Sequence, residues 1–200
     1  QEEKLQIADL PVLTYDALLD YLEDNTVHVL HFDGHGAFAR RCPRCEDLNY
    51  PHLAQCASCG ASLELVTPQG YLAFEDGSPA RGVHWVSGDT LGHLLYGTSL
   101  RLAVLSACAS GIVRGETLFG GVGPSLIQAG VPAVVATQLP ISAGAATAFT
   151  RGFYRALARF QSIPAAVNAG RRRLFEEREW FIPVLYLRSQ DDEGHLFKSS

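Results

Sequence analysis

The sequence predicts an α/β domain whose mostly parallel central sheet is flanked by helices. Three observations lead there. Short apolar runs at 27–32, 102–105 and 131–136 have the length and β-branched content of buried strands. Segments of helical periodicity alternate with these runs, the pattern of a parallel sheet with crossover helices. Two of the runs lead into small-residue stretches that carry a reactive side chain, His35 after the first and Cys108 after the second.

Taken in order, residues 14–23 form the first helix, with Leu18, Leu19 and Leu22 on one face, Thr14 as N-cap and Asn25 as the stop. The strand at 27–32 follows, and Asp33-Gly34-His35-Gly36 reads as a tight loop after it. Residues 40–63 hold four paired cysteines and little core material. Two strands, 71–74 and 83–86, flank a turn at 75–79. A helix at 89–95 is capped by Ser87 or Asp89, and the strand at 102–105 runs into Ser106-Ala107-Cys108-Ala109-Ser110-Gly111. A glycine-rich loop at 115–123 precedes a helix through 126–129 that Gly130 ends. After the strand at 131–136 come helices at 143–159 and 164–178, with Pro164 in the first turn of the second, and a last strand at 181–187.

Composition excludes several classes. The net charge of −5 argues against a general nucleic-acid binder, which carries a basic face. The run Arg171-Arg172-Arg173 is followed by Glu176, Glu177 and Glu179 and reads as a solvated helix face with local ion pairs. No stretch approaches the roughly 18 apolar residues of a membrane span, and the polar start lacks a signal-peptide core. The absence of Met suggests a piece of a longer chain. Five cysteines, two close pairs and one alone, suit a reducing, cytoplasmic compartment better than a secreted disulfide framework.

In open α/β sheets functional groups gather at the carboxyl ends of strands. His35 and Cys108 both fall there by this reading, each followed by small residues that admit a substrate backbone. A thiol nucleophile needs an imidazole nearby and hydrogen-bond donors where an oxyanion develops. The backbone amides of Gly36 and Cys108 are the natural donors. A lone Cys or His after a strand is more often structural; the coincidence of the two makes a catalytic pair plausible.

The order of helix, strand, His-Phe-Asp-Gly-His-Gly, then strand, Leu-Ser-Ala-Cys-Ala-Ser-Gly, resembles the CHAT branch of the caspase-like peptidases, relatives of separase. The segments Gln128 to Ala136, Gln138-Leu139-Pro140-Ile141-Ser142, Phe149 to Leu157 and Trp180 to Tyr186 continue the likeness, which covers about three-quarters of the chain. His35 and Cys108 are 73 positions apart; leaving out residues 40–62 brings this to 50, and caspases place these residues about 50 apart. The resemblance implies a caspase-like fold over 1–200 and endopeptidase chemistry on a protein or peptide substrate. Cys108 attacks the carbonyl and His35 protonates the leaving amine. Asp33 orients His35, faces the substrate, or only caps its turn. The family pattern places a strand ahead of the first helix, for which 4–10 is the available segment. A charged pocket selects the residue before the cut in related peptidases, so Asp33, Glu75, Asp76 and Glu116 near strand ends point to a basic residue. CHAT modules are usually fused to sensor or repeat domains in bacteria, some in defence against phage, which implies such a domain upstream.

The insert at 40–62 stands outside that family pattern. Cys42-x-x-Cys45 and Cys56-x-x-Cys59 form two knuckles, with Gly60 suited to a positive φ after the second. Four thiolates leave no open position, so one structural Zn²⁺ is expected in a small zinc ribbon at the mouth of the site, where it can select the substrate. His52 is a competing ligand only if a cysteine drops out. Two alternatives to the peptidase stand: a catalytically silent caspase-like scaffold whose ribbon docks a protein, and a ribbon that contacts nucleic acid through Arg40, Arg41 and Arg44. The net acidic charge opposes the second.

Overall fold

Strands β1 (Val29–Arg41), β3 (Gln69–Glu75), β4 (Val83–Ser87), β5 (Leu102–Ala109), β6 (Ala133–Thr137) and β7 (Pro183–Leu187) build one sheet in the order β4-β3-β1-β5-β6-β7. The computed structural model describes residues 6–78, 80, 82–109, 121–188 and 194–197, the side chains of 107–109 and 177 excepted. The central strands β1, β5 and β6 are parallel; β3 and β7 run the other way and β4 runs with the centre, so the sheet is mostly parallel. A two-residue strand, β2 (Leu48–Asn49), pairs with the far end of β1 at Arg40 and Arg41.

Strand alternation divides the core between two faces. On one, Leu102, Val104, Ala133 and Val135 pack against helices α4 (Ala143–Leu157) and α5 (Ile163–Arg171) through Phe149, Phe153, Ile163 and Val167. On the other, Phe32, Leu72, Leu105 and Val134 meet α1 (Tyr15–Asp24), α2 (Gly88–Leu95) and α3 (Val122–Gln128) through Leu18, Leu91, Leu95 and Leu126. Five helices thus flank the sheet, and none of the described helices is long and apolar enough to cross a membrane.

Local chemistry sets most boundaries as expected. The Thr14 hydroxyl accepts from the Ala17 N–H at 3.1 Å and starts α1; Ser87, not Asp89, does the same for α2. Ser162 caps α5 with Pro164 in its first turn, and Gly130 closes the α3 turn at φ +104°.

Several expectations need correction. Asp33-Gly34-His35-Gly36 is not a loop: β1 runs straight through it to Arg41, because β5 pairs along one side and β3 takes up the other from Gly36 onward. Glycine and aspartate signalled a turn locally, and tertiary pairing overrode them. β5 likewise extends past Cys108 to Ala109. Residues 6–10 are not a strand, and 4–5 lie outside the described residues. The helix expected at 164–178 gives way at Arg172 to a 3-10 segment, Arg172–Glu177. Arg171 is no solvated charge either: its guanidinium donates to the Pro183 carbonyl from Nη2 at 2.6 Å and from Nε at 3.1 Å, tying α5 to β7. Glu179 accepts from the Ser142 N–H and hydroxyl at the start of α4. Most of the expected glycine-rich loop, along with Ser110, Gly111 and Glu116, lies outside the described residues.

The α4–α5 contact leaves no room at Gly170. A Cβ there would stand 2.6 Å from two Phe149 ring carbons and 3.0 Å from the Phe149 carbonyl oxygen. Because Phe149 is itself buried, the helices must separate for any side chain to fit. Gly170→Ala is expected to destabilise the protein by about 1–3 kcal/mol, read as a lowered midpoint in urea unfolding.

Candidate active site and metal centre

The β1–β5 register is the central geometric fact. Val29 pairs with Leu102, His31 with Val104, Asp33 with Ser106, His35 with Cys108 and Gly36 with Ala109, the last pair of the ladder. Adjacent strands lie about 4.8 Å apart and directly paired residues of a parallel ladder share a face. Positions 35 and 108 are therefore neighbours on the α4 side, at the carboxyl end of the parallel strands. His35 and Asp33 are both exposed, Asp33 one strand repeat before His35, and no described residue hydrogen-bonds the Asp33 carboxylate. β3 runs antiparallel to β1 with Leu72 opposite Gly36 as the last pair, and beyond it the Glu75 N–H donates to the Leu13 carbonyl just ahead of α1.

Gly36 is buried between its partners Leu72 and Ala109 and presents to the opposite face. There it lines a cavity of about 100 Å³ with Tyr71, Leu105, Val122 and Tyr186.

Below the His35 row lies a polar cluster that sequence reasoning missed. His31 Nε2 is 3.2 Å from Ser106 Oγ, and its Nδ1 is 3.1 Å from the Tyr154 hydroxyl. The two rings also stack, with centroids 5.6 Å apart at 25°. Although His31 is exposed on the sheet face, the groups packed about its ring partly desolvate it and draw its pKa below the usual histidine value, with Asp33 opposing; burial raises that of Tyr154 well above the usual phenol range. The only available signal was the period-two row His31, Asp33, His35; nothing local points to Tyr154, 123 positions away.

At the other end of β1 the chain enters the cysteine segment. The sulfur atoms of Cys42, Cys45, Cys56 and Cys59 all lie within 4.8 Å of one another, with Cys42–Cys59 and Cys45–Cys56 at 3.5 Å. Tetrahedral thiolates at about 2.3 Å from a zinc ion stand about 3.8 Å apart. The four donors thus fit a single metal ion. Each knuckle closes with a backbone bond, Glu46 N–H to the Cys42 carbonyl and Gly60 N–H to the Cys56 carbonyl, both 2.9 Å, through positive φ at Glu46 and Gly60. Positive φ was expected at Gly60; Glu46 adopts it without a glycine.

Asn49 organises the inside of this segment. It is 4% exposed; its side-chain oxygen accepts from the Ala57 N–H at 2.9 Å, and its amide donates to the Asp47 carbonyl and to Cys56 Sγ at 3.4 Å. Burial resists ionisation of the Cys56 thiol, but the N–H groups of Cys59 and Ser58 and the Asn49 amide outweigh it and hold the pKa at about 6. Cys42 is lowered chiefly by the Cys45 N–H. Arg40 clasps the segment to β1, donating from Nη1 to the carbonyls of Leu53 and Leu63 at 3.1 Å, while Arg41 donates to the Trp85 carbonyl and lies over the Tyr71 ring.

Fold and register together define an α/β scaffold with a histidine and a cysteine side by side at the carboxyl edge of its parallel strands. The chain belongs to the CHAT domain family, a caspase-like cysteine peptidase-related family whose model matches residues 1–186. No curated protein matches it.

Proposed function

We propose that the protein is a cysteine endopeptidase that cuts protein substrates with Cys108 and His35. The observation that carries this reading is the His35–Cys108 pair of the β1–β5 ladder, within a chain of the CHAT family. The Cys108 thiolate adds to the scissile carbonyl, and the tetrahedral adduct collapses to a thioester as the C–N bond breaks. His35, as imidazolium, gives its proton to the departing amine. Water then hydrolyses the thioester with His35 as base, which frees the acid product and returns the thiol. The backbone N–H groups of Gly36 and Cys108, at the end of the ladder, serve the oxyanion. Asp33, exposed on the same face, meets the substrate and favours a basic residue.

The four cysteines hold one structural Zn²⁺, and residues 40–62 form an inserted ribbon in the single domain. Its place at the end of the strand that bears His35 suits a role in choosing the protein substrate. Family likeness supports control by an upstream sensor or repeat domain, in bacterial defence against phage; cysteines committed to a metal suit the cytoplasm. The test is digestion of a proteome-derived peptide library followed by sequencing of the new termini. Cuts clustered after one residue type support the peptidase and name its preference. A library left intact by the zinc-loaded protein, with an activating partner present, removes the reading.

Asn49→Ala is expected to weaken zinc binding by about 10–100-fold, the usual cost of losing a residue that supports metal ligands. Competition with a chromogenic chelator measures it. An unchanged affinity would mean that the contacts of Asn49 to Cys56 and Ala57 do not support the site.

A further inference from the structure

We propose that His31 is a positioning residue for the His35–Cys108 pair: two strand repeats below that pair on β1, it bridges Tyr154 of α4 and Ser106, one repeat below the pair on β5, and so pins β5 and α4 to β1. The proposal rests on the reading of His35 and Cys108 as the reactive pair.

The α4 side of β1 and β5 changes character along its length. Val29, Leu102 and Val104 pack into the apolar core with Phe153. Level with Val104 stands His31, then come Asp33 with Ser106, and then His35 with Cys108. His31 is thus the first polar group met on leaving the core, and the described residue that joins β1, β5 and α4 through side-chain hydrogen bonds. Backbone pairing sets the spacing of two strands but leaves the end of a ladder free to twist and splay. Ser106 is two positions before Cys108, and the ladder ends at Ala109. Holding Ser106 to His31 restrains β5 just before that end. The restraint matters because a misplacement of about 1 Å between reacting groups costs about 10²-fold in rate.

Hydrogen-bond accounting assigns the direction of the bridge. Tyr154 is half-buried and its hydroxyl has no other partner among the described residues. With Nε2 donating to Ser106 a neutral imidazole keeps Nδ1 as its acceptor, and the phenol, the more acidic of the two hydroxyls beside the ring, is the better donor to it. Tyr154 therefore donates to Nδ1, and Nε2–H donates to Ser106 Oγ. The lowered His31 pKa and raised Tyr154 pKa agree, since this arrangement needs a neutral imidazole and a protonated phenol. An apolar residue at 31 would fill the space; it would not fix three elements by two directional bonds.

The readout is the rate at which iodoacetamide alkylates Cys108, followed against pH by mass spectrometry of its peptide. The four metal-segment cysteines of the same zinc-loaded sample act as internal reference. His31→Phe keeps a ring against Tyr154 and removes both hydrogen bonds. It is expected to slow Cys108 alkylation at neutral pH about tenfold, by raising the midpoint of the pH profile about one unit. His31→Gln retains an amide donor for Ser106 and recovers most of the loss, and Tyr154→Phe shows a smaller shift in the same direction. A merely structural role would lower stability and leave the profile in place. Wild-type rate and midpoint in folded His31→Phe, or no recovery by His31→Gln, overturns the proposal. Should His31→Phe not fold, Tyr154→Phe decides alone, and a wild-type profile there overturns it. Peptide cleavage that persists in Cys108→Ala strikes the peptidase reading instead, while the alkylation profile still judges His31.

Discussion

Cys108→Ala is expected to abolish peptide cleavage, with a loss of at least about 10³-fold, while the sheet and the metal segment stay folded. The magnitude follows from the chemistry: without the thiolate no thioester can form, and what remains is the small contribution of binding and oxyanion contacts. The fold is expected to survive because residue 108 is the second-to-last position of β5, beyond the buried run Leu102 to Leu105 that anchors the strand. His35→Ala should cost about 10²–10⁴-fold, the usual share of a general acid–base group. The two losses should not add. Once the nucleophile is gone the imidazole has nothing to assist, so the double variant should be no worse than Cys108→Ala. The check is kcat/KM on the best peptide from the library, with circular dichroism and zinc content held as controls. Undiminished cleavage by folded Cys108→Ala would leave the register pairing of His35 and Cys108 without catalytic meaning.

What the sequence made legible, and what it did not, divides along range. Features written within a few residues came through. Thr14 and Pro164 mark helix starts by their own chemistry, and the Cys-x-x-Cys knuckles declare a shared donor set because each grips through its own turn. His35 and Cys108 were visible as candidates because apolar runs that lead into small residues are recognisable one at a time. Their juxtaposition was not: it depends on which strands pair and in what register, and only the β1–β5 ladder supplies that. The same cause explains the misread loop at Asp33 to Gly36. Two glycines and an aspartate are turn residues in isolation, yet the β5 ladder holds 33–36 extended and β3 joins on the other side at Gly36. His31 is the clearest case. Its partners come from β5 and α4, and no window of sequence holds all three.

Stripping the metal, or replacing Cys56 by serine, is expected to unfold residues 42–66 and leave the central sheet standing. The reason lies in how little else holds this segment. Its buried core is Leu63 with the thiols Cys42 and Cys56, and Leu53, Cys59, Ala61 and Val66 pack around them only partly buried. A core of that size cannot offset an ordering cost of about 1–2 kcal/mol per residue, whereas structural zinc in comparable small units contributes about 10–16 kcal/mol. The two larger clusters on either face of the sheet share no residue with it. Loss should therefore stop where β1 regains other partners. Ala39, Phe38, Ala37 and Gly36 remain paired with Gln69 through Leu72 of β3, so the strand frays back to Arg40 and Arg41 and no further. Arg40, whose bonds to the Leu53 and Leu63 carbonyls exist only in the folded segment, is the hinge of that boundary. Hydrogen exchange measures the outcome: chelation should remove protection from the amides of Cys42, Glu46, Cys56, Gly60 and Leu63 while the β1–β5 ladder keeps its own. Heating the zinc-loaded protein beside the stripped one should then show an added early transition only in the former. Protection that survives chelation would show that the segment folds without a metal. Collapse of the whole sheet would show instead that the cysteine segment and the strand bearing His35 form one cooperative unit.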